Sequence, residues 1–387
     1  MRAPLAGVRV LEFGHFVAGP FCGHVLGDLG ADVVKVEPIA GEVLRWSGSA
    51  SFVAANRGKR SVAIDLKHPM NAEVVDAAVV WADVVTHNFR PGVAGRLRID
   101  RDSLHARKAG LVVVETSAYG PEGPRAALPG FDSLAQGMAG HFVQAGGQGS
   151  QPIGYRFSHV DHGTGLLGAL GVVAALYRRN HRGQGSLIST DLLSTAIFML
   201  SEVVRDEHGQ ADGSAPLDQG RTGRHPGERL YQAADGWLAL AVLDDKGALG
   251  LSKALAIEEL TTRPLDQWDA REAGLIASAI RSRTIEEVLP ALADAGVWAE
   301  PCVPDGLSAL ARDGAMEKAG TMLNVETAEY GRVQEIGPSV SLDRFPEVTA
   351  RTRTHIAELG EHTTQFLAEI GIPEEKIAQL HEAGAVA

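Results

Sequence analysis

The sequence predicts an α/β fold, a parallel sheet covered on both faces by helices, with a smaller α+β domain after it. Over residues 7–119, short β-branched runs that are apolar on both faces alternate with helical stretches, the pattern of strands buried between helix layers. A polar, Gly/Pro-rich stretch at residues 201–229 then breaks the alternation, and a hairpin pattern followed by helices succeeds it. A chain of 387 residues with 45% hydrophobic content has the material for both cores.

Residues 7–13 (GVRVLEF) read as a strand, 19–30 as a helix and Asp32–Glu37 (DVVKVE) as a second strand. The order repeats with SVAIDL (61–66), a helix after His68, ADVVTHNF (82–89), a helix near 93–97 and LVVVETSAY (111–119). Residues 163–179 form a long helix carrying Gly163, Gly165, Gly168 and Gly171. Each interior glycine costs roughly 1 kcal/mol relative to alanine, so a backbone, subunit or ligand is expected to approach this helix closely. After the polar stretch, 229–243 reads as two strands about an Asp235-Gly236 turn, and helical patterns run from 246 to 295. Residues 331–342 look extended, and 360–387 supply two short amphipathic helices broken at 371–373. The expected division is a large domain begun by 1–200, a linker at 201–228, a small domain at 229–320, a return linker at 321–345, and 346–387 completing the large domain.

A net charge of −12 without a long Lys/Arg run argues against a nucleic-acid surface. Two distant cysteines, Cys22 and Cys302, indicate neither a disulfide framework nor a zinc site and fit a reducing cytoplasm. The longest apolar run, 166–177, is shorter than a bilayer span, and the first residues lack the apolar region of a signal peptide, so no membrane partner is expected.

Several motifs suggest chemistry. The glycines at 14, 19 and 23 lack the spacing of a dinucleotide fingerprint, so packing is the better reading. The histidines form no ligand spacing on one helix, and no G-x-S-x-G elbow occurs. Asp161 stands before the glycine-marked helix, where a carboxylate either caps free N–H groups or serves as a nucleophile held ionised by the helix terminus. Asp132, ahead of another helix, reads better as an N-cap than as an acid carried by that helix into a cleft. Asn88, Arg90 and Arg96 follow a strand at the edge where open α/β sheets bind ligands. Lys59, Arg60 and Lys67 either meet phosphates or keep the surface soluble.

Collinear stretches across most of the chain resemble the family III CoA-transferases. They include PLAGVRVLEF, AGPFCGHVLGDLGADVVKVE, NRGKRSVAIDLK, NFRPGV, SAYGPEGP, GFDSLAQGMAG, DHGTGLLGALGVVAALYRRNHRGQGSLISTDLL and YQAADGWLAL. The resemblance implies a Rossmann-like large domain, an interlocked homodimer, acyl-CoA and carboxylic acid substrates, and no permanently bound cofactor, coenzyme A itself being part of the substrate. By the same resemblance Asp161 attacks the acyl-CoA carbonyl, and Asp132 matches a second active-site acid. His15 falls near the pantetheine arm, while Lys67, Asn88, Phe89, Arg90 and Arg96 fall where adenosine and phosphates are held. Val17 stands where formyl-CoA transferase carries Gln, and the run of four glycines before Tyr231 is missing, which points away from oxalate and formate. A related racemase shares the Asp but uses a His at the position of Phe131, a side chain that cannot exchange protons. An α-proton-exchanging racemase and a non-catalytic CoA-binding protein are the alternatives to a transferase.

Overall fold

Six short strands pair in parallel, five of them as runs buried on both faces and the sixth at the sheet edge. In the computed structural model, which describes residues 3–90, 92–155, 157–209, 211–212, 217–312, 314–327, 331–338, 340 and 354–387, they are β1 (Arg9–Glu12), β2 (Asp32–Glu37), β3 (Arg60–Ala63), β4 (Val84–His87), β5 (Val112–Ser117) and β6 (Ser186–Asp191). Their order in the sheet is β3-β2-β1-β4-β5-β6, every neighbouring pair parallel. This is the strand order of a doubly wound dinucleotide-type sheet, with its switch point between β1 and β4. Alternate residues feed opposite cores: Leu11, Val34, Val62, Val85 and Val113 pack on one face, and Val10, Val33, Val84, Val112 and Val114 on the other. Such two-sided burial is why these strands read as continuous apolar runs.

The helices connecting them are α1 (Ala18–Asp28), α2 (Ala50–Asn56), α3 (Ala72–Trp81), α4 (Arg101–Arg107), α5 (Asp132–Ala139), α6 (His159–Arg182) and α7 (Leu192–Phe198). The chain divides into two compact units, the first holding 1–139, 156–200 and 314–387 and the second 140–155 and 201–313. In the first unit the C-terminal helices Thr363–Glu369 and Glu374–Glu382 separate at Gly371, whose φ of 86° suits glycine. Phe366, Leu367, Ile377 and Leu380 from them complete one face of the sheet, and Val386 bridges to Ile64 beyond β3. A hairpin of Met322–Thr327 and Gly331–Ile336 also lies in this unit. Of the segments expected to be linkers, residues 210, 213–216, 328–330, 339 and 341–345 lie outside the described residues, as do 346–353 of the segment expected to complete the large domain.

The second unit has a four-stranded antiparallel sheet in the order Trp298–Pro301, Trp237–Ala241, Glu228–Gln232 and Gly223–His225. The central hairpin closes where Gln232 pairs with Trp237, around the expected Asp235-Gly236 turn. Helices Asp245–Leu255, Ala270–Arg281 and Ile285–Asp294 follow; the last two start with reciprocal capping boxes, Asp269 with Glu272 and Thr284 with Glu287. Leu238, Leu240, Leu251, Ile276, Ile280 and Leu292 form its core. Residues 140–155 join this unit, the Gln148 N–H donating to the Leu217 carbonyl.

Candidate active site

Helix α6 begins at His159, earlier than its sequence pattern suggests, so Asp161 sits inside the first turn. Its glycines work through close approach. A Cβ at Gly165 would lie 2.7 Å from the Ala18 carbonyl oxygen and 2.9 Å from the Cys22 nitrogen, which lets α6 rest on the backbone of α1. At Gly168 the neighbour is Cys22 Sγ at 3.3 Å, and at Gly171 it is Ile188 of β6 at 2.8 Å. Although the 24 residues of α6 are long and apolar enough to cross a bilayer, this face is core. The helix ends beside the amino ends of β4 and β5, where Arg179 Nη1 lies 3.4 Å from Asp83 Oδ1 and 3.4 Å from the Gly110 carbonyl oxygen. Its first turn, with Asp161, therefore lies at the carboxyl edge of the sheet, the side on which α1 also starts.

Asp132 does not simply cap its own helix. Its Oδ2 accepts the N–H groups of Val160 at 2.9 Å and Asp161 at 3.0 Å, so it caps α6 from outside. The Gln136 amide donates to its other oxygen. The capping role considered for Asp161 thus belongs to Asp132, and the Asp161 carboxyl remains available for chemistry. Contrary to the expectation that the helix terminus holds it ionised, burial, reinforced by the neighbouring charge of Asp132, pushes the Asp161 pKa from 3.8 up to about 7.

The loop between β1 and α1 stands at the same edge. Phe16 adopts a left-handed φ of 60°, and its ring meets Phe131 edge to face at 5.6 Å, next to Asp132. Val17 is buried immediately before α1. The His15 N–H donates to Asn88 Oδ1 at 2.9 Å, and the Asn88 amide donates back to the His15 carbonyl at 2.7 Å, tying the post-β1 and post-β4 loops together at the switch point. Burial and the charge of Lys35 push the His15 pKa down to about 4, so the imidazole is neutral near pH 7. Its ring lies 5.6 Å from that of Phe89.

A cavity of about 430 Å³ opens there, lined by His15, Glu37, Asp65, Lys67, Phe89 and Leu97 among others. His15, Lys67 and Phe89 are thus brought together, whereas Asn88 spends its amide on the His15 backbone. Arg90 and Arg96 are exposed on the segment after β4 and do not line the cavity. Lys59 is neither a phosphate ligand nor a solubilising residue in this structure: it is buried and donates to both Glu12 oxygens, at 2.9 and 2.8 Å. Arg60 pairs with Asp32 and Glu369. Gln136 and Glu42, which bear on the site through Asp132 and Phe16, carried no signal in the sequence beyond their residue type.

Residues 5–363 match the model of CoA-transferase family III. The chain belongs to this family. It is 30% identical over 404 residues to the succinyl-CoA–L-malate CoA-transferase beta subunit of Chloroflexus aurantiacus, covering 97% of this chain and 96% of that protein. It is 27% identical over 440 residues to a formyl-CoA:oxalate CoA-transferase of Rhodopseudomonas palustris, covering 100% and 98%. A CAIB/BAIF family protein from Brucella suis has the same fold, with a TM-score of 0.81 at 28% identity over 96% of this chain and 100% of that one. This family III enzyme is accordingly a CoA-transferase, and CoA thioesters are the substrates of such enzymes.

Proposed function

We propose that this transferase moves CoA from an acyl-CoA to a carboxylic acid through covalent intermediates on Asp161. The observation that carries the proposal is the isolated Asp161 carboxyl at the sheet's ligand-binding edge, raised in pKa by burial and by Asp132. Its carboxylate attacks the thioester carbonyl and expels CoA thiolate, leaving a mixed aspartyl anhydride. The thiolate then attacks the aspartyl carbonyl, releasing the donor acid and forming an aspartyl-CoA thioester. The acceptor carboxylate repeats the sequence in reverse, and the new acyl-CoA departs with Asp161 regenerated. Donor and product thioesters are of similar energy, so exclusion of water rather than an energy source is what the site must provide.

Each covalent state also removes the negative charge at Asp161, relieving its repulsion with Asp132. The latter positions the nucleophile by capping its helix turn. CoA occupies the switch-point cavity, His15 and Val17 facing the pantetheine arm. Lys67, Phe89, Arg90 and Arg96 meet adenosine and phosphates, and Asn88 holds the loop that presents His15. The working form is an interlocked homodimer. Supporting it, Leu166, Leu170, Val173 and Tyr177 expose one apolar stripe along α6, beside exposed Ile197 and Phe198 of α7.

An α-proton exchange mechanism is disfavoured because Phe131, where a racemase would place its second base, packs its ring on Phe16. The test is CoA transfer by Asp161→Asn against CoA binding by the same variant. Abolished transfer with intact binding is expected, and retained turnover would exclude Asp161 as the carrier.

A further inference from the structure

Behind the Gly14–Val17 loop lies a cluster of acidic and basic side chains. Glu12, Lys35, Glu37, Glu42 and Lys59 are all at least nine-tenths buried, at 0, 1, 1, 2 and 4% exposure. Arg45 joins them by a two-pronged pair with Glu37, at 2.9 and 2.7 Å. Three acidic groups thus face three basic ones in the interior. Well-packed apolar residues would hold such a core at least as well, because burying charges costs solvation that pairing rarely exceeds. The cluster therefore calls for a role other than stability.

Its contacts supply one. Lys35 Nζ donates to the Gly14 carbonyl at 2.8 Å, and Lys59 Nζ donates to the Pro20 carbonyl at 2.7 Å. Glu42 Oε2 accepts the Phe16 N–H at 2.9 Å and lies 3.9 Å from His15 Nδ1. Together with Asn88 on His15, these side chains hold the backbone on both sides of Phe16, whose left-handed φ of 60° is unfavourable for a residue with a bulky side chain. A strained turn persists only where its surroundings over-determine it. Glu12 is the anchor beneath, shared by Lys35 at 3.4 Å and Lys59 at 2.8 Å. Gly23 of α1 makes room for it, since a Cβ there would come within 2.0 Å of Glu12 Oε2.

We infer that Glu42 is a positioning residue for acyl transfer: by accepting the Phe16 N–H it fixes the strained turn that sets Phe16 against Phe131, next to Asp132, and His15 at the switch-point cavity. The inference rests on the proposed chemistry at Asp161 and adds a residue outside the reacting groups. Since the turn governs alignment at the thioester, its loss acts on kcat more than on CoA binding.

The experiment compares Glu42→Met, which keeps the volume but offers no acceptor, with Glu42→Gln, which retains an acceptor oxygen. Transfer kinetics, CoA binding by calorimetry and far-UV circular dichroism are measured for both. Glu42→Met is expected to lose on the order of 10²-fold in kcat with CoA affinity within about threefold of wild type, and Glu42→Gln to recover most of that loss. Should Glu42→Met fail to fold, Glu42→Ala takes its place. Equal kcat in the Met variant and wild type, or equal loss in Met and Gln, would overturn the inference. Asp161→Asn measured alongside separates the two claims. Turnover that survives in Asp161→Asn while Glu42→Met is impaired would refute the aspartyl mechanism alone, and a dead Asp161→Asn with an unimpaired Glu42→Met would refute the positioning role alone.

Discussion

Replacing Asp161 by Asn removes a carboxyl whose pKa folding raises from 3.8 to about 7. Between those two values the unfolded chain has released a proton that the folded chain still holds, so the native state weakens as pH rises from about 4 to about 7, and the loss is complete above pH 7. Three pKa units correspond to about 4 kcal/mol, an upper value because solvent reaches part of the carboxyl. Asn keeps the shape and carries no charge, so the variant is expected to be more stable than wild type by up to about 2 kcal/mol at pH 5 and about 4 kcal/mol at pH 8. Urea unfolding followed by far-UV circular dichroism at the two pH values measures both differences. An enzyme made more stable by losing its nucleophile would show that the fold holds Asp161 at a cost recovered in the covalent intermediate. A variant no more stable than wild type at pH 8, or a difference independent of pH, would refute the reasoning.

The same pKa predicts that the first half-reaction accelerates as pH rises through about 7, as the Asp161 carboxylate forms; single-turnover release of CoA thiol across pH 5.5–8.5 reads this out. Asp132→Asn removes the like charge and should move that midpoint to lower pH, whereas Asp132→Ala also leaves the Val160 and Asp161 N–H groups without their acceptor and should cost about 1–3 kcal/mol in unfolding experiments. Gly165→Ala should destabilise by about 1–3 kcal/mol despite alanine's better helix propensity, because the new methyl meets the α1 backbone. Gly163→Ala should cost less, since its nearest neighbour is the flexible end of Met199; thermal melts of the pair settle the order. Lys67→Ala should weaken CoA binding, with the loss largest at low salt, because this exposed cavity residue acts mainly through screened charge.

Much of the sheet was legible because five of its strands are buried on both faces and spell continuous β-branched runs. β6 was not: SLISTD lies at the sheet edge with alternating exposure, and its polar alternation directly after a glycine-rich stretch resembles a turn. The glycines of α6 correctly signalled close approach, but only the packed structure distinguishes Gly165, against backbone, from Gly163, against a mobile thioether. Asp161 and Asp132 could be nominated from their places before helices. Their relation could not, because the cap joins residues 28 and 29 positions apart. The buried ion cluster was invisible for a similar reason. Lys59 beside Arg60 reads as a solvated basic pair, and only the sheet register turns one inward to Glu12 and the other outward to Asp32.

The most direct test of transfer through Asp161 is intact mass spectrometry of the enzyme mixed with a panel of acyl-CoAs and quenched in acid, followed by peptide mapping. The mechanism predicts a hydroxylamine-sensitive acyl or CoA adduct on the peptide containing Asp161 in the wild type and none in Asp161→Asn. An adduct mapping elsewhere, or turnover with no adduct on any donor, would contradict it.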